Sequence, residues 1–322
     1  MKLVAVDIGG THARFALAEV EAGRVVQLGE AVTLKTAEHA SFQTAWEDFG
    51  KGVGAPLPRA AAIAIAGPID GEVIKLTNNP WIIRPSLISE KLNVDAYTLI
   101  NDFGAVGHAV AQAEAEHFIH LCGPEAPLPT HGTISIIGPG TGLGVAHIWR
   151  DGSHYHVQAT EGGHIDFAPL DSIEDAVLAR LRGRYRRVSA ERIVSGPGLV
   201  ELYETLASIE GKATQHFDDK TLWQRGMAGE DSLAAAAIDR FCMALGSVAG
   251  DIALAQGASG VVIAGGLGFR IKDIIVRSGF AERFCAKGRF ESFMASLPVK
   301  LITHPQPGLF GAAAAFAREH AA

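Results

Sequence analysis

At 322 residues the chain exceeds what one hydrophobic core usually holds, and its 48% hydrophobic content supplies enough apolar side chains for two domains. A net charge of −7 and a pI near 6.0 leave no global basic field to gather nucleic acid or anionic lipid. Cys122, Cys242 and Cys285 are odd in number, far apart and without a C-x-x-C spacing, which argues against a disulfide framework or zinc site and points to a reducing, cytoplasmic setting.

A strand is expected from residue 2 with no charged-then-apolar leader before it. Strands are predicted at 2–6, 13–19 and 31–34. Between the first two lies Asp7-Ile8-Gly9-Gly10-Thr11-His12-Ala13-Arg14. Glycines and a threonine between strands let backbone N–H groups converge on an anion, so the run reads as a phosphate-holding hairpin. A plain hairpin needing only positive φ at its glycines is the competing reading. Phe42, Ala45, Trp46 and Phe49 share one helical face, which must pack on a sheet. The continuous apolar run 60–66, ended by Gly67-Pro68, predicts a strand covered on both faces. A hairpin-like stretch follows at Asp70-Gly71, and Asn78-Asn79 before Pro80-Trp81 is first a turn signal, with sugar contact second. A buried strand at 97–100 ends in Asn101-Asp102, ahead of a helical pattern over 103–117. Ligands of open α/β sheets sit beyond such carboxyl ends. There Asp102 is either a carboxylate able to take a proton from a hydroxyl or a helix N-cap.

The second half repeats this opening, with strands predicted at 133–137, 145–149 and 154–158 and with Gly138-Pro139-Gly140-Thr141-Gly142-Leu143-Gly144 between the first two. Two such loops at equivalent places suggest a nucleotide between two lobes. His154 and His156 face one side of their strand without a third metal ligand. Glu161 and His164 frame Gly162-Gly163, whose bare backbone would let a polyhydroxylated ligand approach; a surface turn is the alternative. Arginines 180, 182, 184, 186 and 187 read as one solvated basic face on an acidic chain rather than a nucleic-acid surface. Glu191 reads as an acid in a helix's first turn. Helices continue to about 256, the longest, 232–256, being interrupted by Asp239, Arg240 and Asp251 and therefore not a membrane span. A strand at 260–264 ends in Gly265-Gly266, another occupies 299–303, and 309–320 is an alanine-rich helix. The expected organisation is a small α/β domain over 1–110, a large α/β domain over 111–304, and a C-terminal helix within 305–322 docked back on the first. Packed elements near 103–120 would join the lobes and favour hinge motion.

Taken together and in order, Asp7-Ile8-Gly9-Gly10-Thr11, Ile100-Asn101-Asp102-Phe103, Gly140-Thr141-Gly142-Leu143-Gly144, Glu161-Gly162-Gly163-His164-Ile165-Asp166-Phe167-Ala168-Pro169, Ser189-Ala190-Glu191-Arg192, Ser195-Gly196-Pro197-Gly198 and Ile263-Ala264-Gly265-Gly266 resemble the bacterial glucokinase family. The likeness extends to Lys287-Gly288-Arg289-Phe290 and Pro307-Gly308-Leu309. The Cys-rich zinc motif of the related repressor and open-reading-frame kinases is missing from the sequence. This resemblance implies a duplicated ribonuclease H-like (actin-like ATPase) α/β fold, with ATP and sugar in a cleft between lobes, and phosphorylation of glucose at its 6-hydroxyl. It implies that Val6, Asp7, Ile8, Gly9, Gly10 and Thr11 hold phosphates, that Gly138, Gly140, Thr141 and Gly142 form the second phosphate loop, and that Gly265 and Gly266 admit adenosine. Asp102 would be the base, with Asn101, Glu161, His164 and Glu191 on the remaining sugar hydroxyls. Mg2+ would be held by phosphates and water, with Asp7 reaching it through water and no firm protein ligand. A homodimer is implied as well. The alternatives are a kinase for another hexose, such as fructose or mannose, and a sugar-responsive regulator, which would need an added helix-turn-helix that the sequence does not show.

Overall fold

The computed structural model describes residues 1–76, 79–214 and 216–321. Its contacts divide the chain into two compact units: residues 1–114 with 157–159 and the segment from His304, and residues 115–156 with 160–303.

The first unit contains β1 (Lys2–Ile8), β2 (His12–Glu21), β3 (Arg24–Leu28), β4 (Val32–Lys35), α1 (Phe42–Val53), β5 (Ala60–Ile65), the short ladder β6 (Ile74–Lys75) with β7 (Ile82–Ile83), α2 (Ile88–Leu92), β8 (Ala96–Asn101) and α3 (Asp102–Gln112). The main sheet runs β3-β2-β1-β5-β8, with β4 on β2. Every residue of β5 is buried, as its unbroken apolar run requires. Helix α1 starts at a Ser41–Thr44 capping box, stops at Gly54 (φ +69°), and buries Phe42, Ala45, Trp46 and Phe49 against the sheet, Phe49 lying 5.2 Å from Phe15 between ring centroids.

The second unit contains β9 (Phe118–Cys122), β10 (His131–Pro139), β11 (Leu143–Asp151), most of β12 (His154–Thr160), α4 (Ser172–Arg182), α5 (Gly198–Ile209), α6 (Asp219–Ala228), α7 (Ser232–Gln256), β13 (Ala258–Ile263), α8 (Gly265–Arg270), α9 (Lys272–Ile275), α10 (Phe280–Cys285), α11 (Glu291–Ala295) and β14 (Val299–Ile302). Its sheet runs β12-β11-β10-β13-β14-β9. Helix α7 has the length and composition to cross a membrane, yet most of its apolar side chains are buried among α5, α6 and α10. The last helix, α12 (Pro307–Glu319), belongs to the first unit, where Leu309, Ala312, Ala313 and Phe316 pack on the small side chains of β1, β2 and β5.

The duplication anticipated from the two loops is explicit in the sheets. β1 pairs antiparallel with β2 and parallel with β5, which pairs parallel with β8; β10, β11, β13 and β14 repeat the arrangement. Even single bonds recur: Ala66 N–H donates to Ile8 O at 2.9 Å, and Ala264 N–H to Ile137 O at 2.8 Å.

Two expectations need correction. Strand β3 was not anticipated; its signal is the two-residue turn Ala22-Gly23, where both φ angles are positive (49° and 75°). The helix predicted to reach residue 117 ends at Gln112. The backbone turns extended at Ala113, a separate 3-10 turn occupies Ala115–His117, and edge pairing then takes over, because β9 lies antiparallel to β14 and His117 O accepts from Thr303 N–H at 2.7 Å. The arginine run is exposed at 182, 184, 186 and 187, as a solvated basic face requires, and part of its charge is paired: Arg180 and Arg184 with Glu204 and Glu201 of α5, and Arg187 with Asp166 at 2.5 Å.

Candidate active site

In the first unit, parallel pairing aligns Ile8 with Ile65 and Ile65 with Asn101. The hairpin after β1 and the Asn101-Asp102 step therefore lie at the same carboxyl edge of the sheet. Val6, Asp7 and Ile8 are strand residues, so the connection itself is only Gly9-Gly10-Thr11. Gly9 N–H donates to His12 O at 2.9 Å across it. Neither Gly9 nor Gly10 has a positive φ, so the conformational need assumed for a plain hairpin is not why glycine stands there. Three consecutive carbonyls are tied back into the unit: Gly9 O accepts from the Asn79 amide at 3.1 Å, Gly10 O from the Thr36 hydroxyl at 3.0 Å, and Thr11 O from Thr36 N–H at 3.0 Å. Asn79 thus anchors this loop, while Asn78 lies outside the described residues.

Asp7, one pleat earlier, is largely buried. Burial pushes its carboxyl above the usual range, opposed by Arg14, whose guanidinium donates to it at 3.1 Å. A Cβ on Gly308, in the first turn of α12, would lie 2.6 Å from the Asp7 carboxylate, so that glycine is what lets the helix start beside it.

The choice left open at Asp102 is narrowed by its neighbour. Asn101 takes the N-cap: its side-chain oxygen accepts from Phe103 N–H (2.9 Å) and Gly104 N–H (3.0 Å), while its amide donates to Gly67 O at 3.0 Å. Asp102 is the first helical residue, half-buried, with Oδ1 2.9 Å from Phe103 N. The cap is not what requires a carboxylate at 102.

In the second unit, Gly138 and Pro139 are strand residues opposite Gly144 and Leu143, which shortens the expected loop to Gly140-Thr141-Gly142. Gly140 N–H closes it onto Gly142 O at 2.8 Å, and Gly140 O accepts from Gly196 N–H at 2.8 Å. Glu191 lies in a 3-10 turn (Ala190–Arg192), and its carboxylate accepts from Leu143 N–H at 2.9 Å, bracing the same loop. A Cβ on Gly142 would stand 2.4 Å from that oxygen, whereas one on Gly140 would meet open space. Gly142 is bare for Glu191, not only for an approaching ligand. The pair Gly162-Gly163 is corrected in the same sense: added Cβ atoms would meet Val145 at 2.9 Å and Leu143 O at 2.1 Å. They seat a 3-10 turn (Gly162–His164) on β11, leaving Glu161 and His164 exposed with Nε2 and Oε2 3.7 Å apart. Gly265 adopts φ +83° directly behind Pro139 O, and Gly266 borders open space. The second loop, Glu161, His164, Glu191, Gly265 and Gly266 thus gather around the carboxyl edge of β10 and β13.

Comparison with known proteins bears on this arrangement. The glucokinase family model matches residues 3–319. The chain belongs to the glucokinase family. It is 62% identical over 320 residues to a glucokinase of Zymomonas mobilis, covering 99% of each chain, and 41% identical over 317 residues to one of Caulobacter vibrioides, covering 97% of this chain and 94% of that one. The solved glucokinase of an Antarctic psychrotroph superimposes with a TM-score of 0.86 at 33% identity, covering 98% of both chains. The duplicated α/β architecture is accordingly the actin-like ATPase fold of glucokinases.

Two features of this glucokinase-family chain were not singled out from sequence. Thr36 holds the first loop at Gly10 from 26 residues away, and nothing in its local sequence marks it. Arg14, quoted only as part of the loop run, is the cation beside Asp7.

Proposed function

We propose that this chain transfers the γ-phosphoryl group of ATP to the 6-hydroxyl of D-glucose. The observation that carries the reading is the division of labour at the end of β8. Asn101 caps α3, so the cap does not call on Asp102, which places a carboxylate at the sheet's carboxyl edge in a chain 62% identical to a glucokinase. Asp102 takes the proton of the sugar hydroxyl as the new P–O bond forms and the bond from the γ-phosphorus to the β,γ-bridging oxygen breaks. Asn101, Glu161, His164 and Glu191 bind the remaining hydroxyls. Backbone N–H groups of Gly10 and Thr11 and of Thr141 and Gly142 receive phosphate oxygens, and the open space at Gly266 takes the adenosine side.

Mg2+ bound with ATP would supply charge neutralisation at the phosphates. The hard oxygen donor near the first loop is Asp7, already shared with Arg14 and so suited to meeting the ion's water shell rather than binding it outright.

The test is a coupled ADP-release assay with glucose, fructose and mannose: glucose should give the highest kcat/KM, and a better result with another hexose sinks the assignment. We further propose a cytoplasmic setting and a homodimer, for which the exposed rings of Phe290 and Phe293 offer apolar surface. Sedimentation at monomer mass would remove the dimer.

A further inference from the structure

Thr36 and Asn79 lie far from the loop in sequence, and both are nearly inaccessible, 2% and 8% exposed. Each places a side-chain donor on a carbonyl of the first hairpin. The bonds form a closed circuit. Asn79 Nδ2 donates to Gly9 O; Trp81 N–H donates to Asn79 Oδ1 at 2.9 Å; Trp81 Nε1–H donates to His39 O at 2.9 Å; His39 N–H donates to Thr36 O at 3.3 Å; and Thr36 returns to the loop through its amide to Thr11 O and its hydroxyl to Gly10 O. Trp81 is itself 1% exposed, so the three side chains that close the circuit are buried.

A planar trans peptide turns its C=O and the next residue's N–H in opposite directions, and no cis peptide interrupts this stretch. Holding Gly9 O and Gly10 O inward therefore turns the N–H groups of Gly10 and Thr11 outward. Glycine-rich turns left to themselves sample many conformations, and fixing one is entropically costly. A loop whose carbonyls are already bonded presents its donors to an anion without meeting that cost on binding.

We infer that Thr36 and Asn79 are positioning residues for the nucleotide, acting through the Gly9–Thr11 backbone and not touching the sugar. This rests on the kinase reading above. Thr36→Val keeps the branched shape and the amide bond to Thr11 O but removes the hydroxyl; Thr36→Ser restores it. Asn79→Asp keeps the acceptor for Trp81 N–H and removes the donor to Gly9 O.

The experiment measures KM for ATP and for glucose, Tm, and the Kd for MgATP by calorimetry without sugar, in the full-length wild type and all three variants. Thr36→Val and Asn79→Asp should raise the ATP KM and the MgATP Kd roughly five- to tenfold, as expected for one lost hydrogen bond. The glucose KM should stay within about twofold, and Thr36→Ser should return both ATP values to near wild type. Unchanged MgATP affinity in both variants overturns the inference. So does a loss of both substrate affinities in step with Tm, including failure to fold, because that is a purely structural role. A wild type that binds MgATP but phosphorylates no hexose defeats the kinase assignment alone, since the calorimetric comparison still decides the role of these two residues.

Discussion

The first hairpin is braced from behind by two neutral side chains, Asn79 and Thr36, whereas the second is braced by a backbone amide of Gly196 and by the carboxylate of Glu191. Both devices draw carbonyl or amide groups away from the loop's outer face, but they differ in what else depends on them. Among the described residues, the bonds of Asn79 and Thr36 go to the first loop and its supporting circuit. Glu191 serves the second loop and, on the proposed function, the sugar. Perturbing the first should therefore change nucleotide binding by itself, while perturbing the second should change both substrates together.

The largest test of this contrast bypasses both hairpins. Asp102→Ala should lower kcat by roughly two orders of magnitude or more while calorimetric nucleotide affinity is retained, because the first loop is held without Asp102. Near-normal turnover would end its role as base. Next, Gly142→Val forces a side chain onto the Glu191 oxygen, 2.4 Å from where its Cβ must stand. The KM values for ATP and glucose should rise together, by on the order of tenfold, since two bonded partners lose their geometry. A rise for ATP alone would uncouple Glu191 from the sugar and collapse the comparison.

Smaller effects sharpen it. Asn101→Ala removes the α3 cap and should cost about 1 kcal/mol, a fall in Tm of about 2–4 °C by calorimetry. The smallest is Asp7→Asn. Burial holds the Asp7 carboxyl above its unfolded value, so the native state binds this proton more readily and wild-type stability declines as pH rises through the folded pKa. The asparagine variant escapes that decline. Its Tm should equal or exceed wild type at pH 7, and the gap should narrow on acidification; a constant deficit at every pH would show that the Arg14 pair outweighs burial.

Much of the fold was legible in the sequence because it is written in strong periodicities and runs. Phe42, Ala45, Trp46 and Phe49 mark α1, and the unbroken apolar stretch marks β5. What stayed hidden is decided by tertiary partners. Residues 113–117 look helical until β14 pairs with the strand that follows. Gly142, Gly162 and Gly163 read as space for a ligand, and only the packed neighbours Glu191, Val145 and Leu143 reveal the other demand on them. Candidate site residues could be named from motif order, but the exchange of duties between Asn101 and Asp102 could not, since adjacent Asn and Asp compete equally for a cap until the strand end fixes which one faces it.

The docking of α12 has a consequence for biosynthesis. In this helix a Cβ on Gly311 would lie 1.7 Å from Ala105 O, and Phe316 and Leu309 complete the apolar layer over Leu3, Ala5 and Ala62. One face of β1 thus stays uncovered until α12, which follows the second unit in chain order, has been made. Residues 115–156 and 160–303 form a compact unit that does not include α12, so that unit can close before α12 is available.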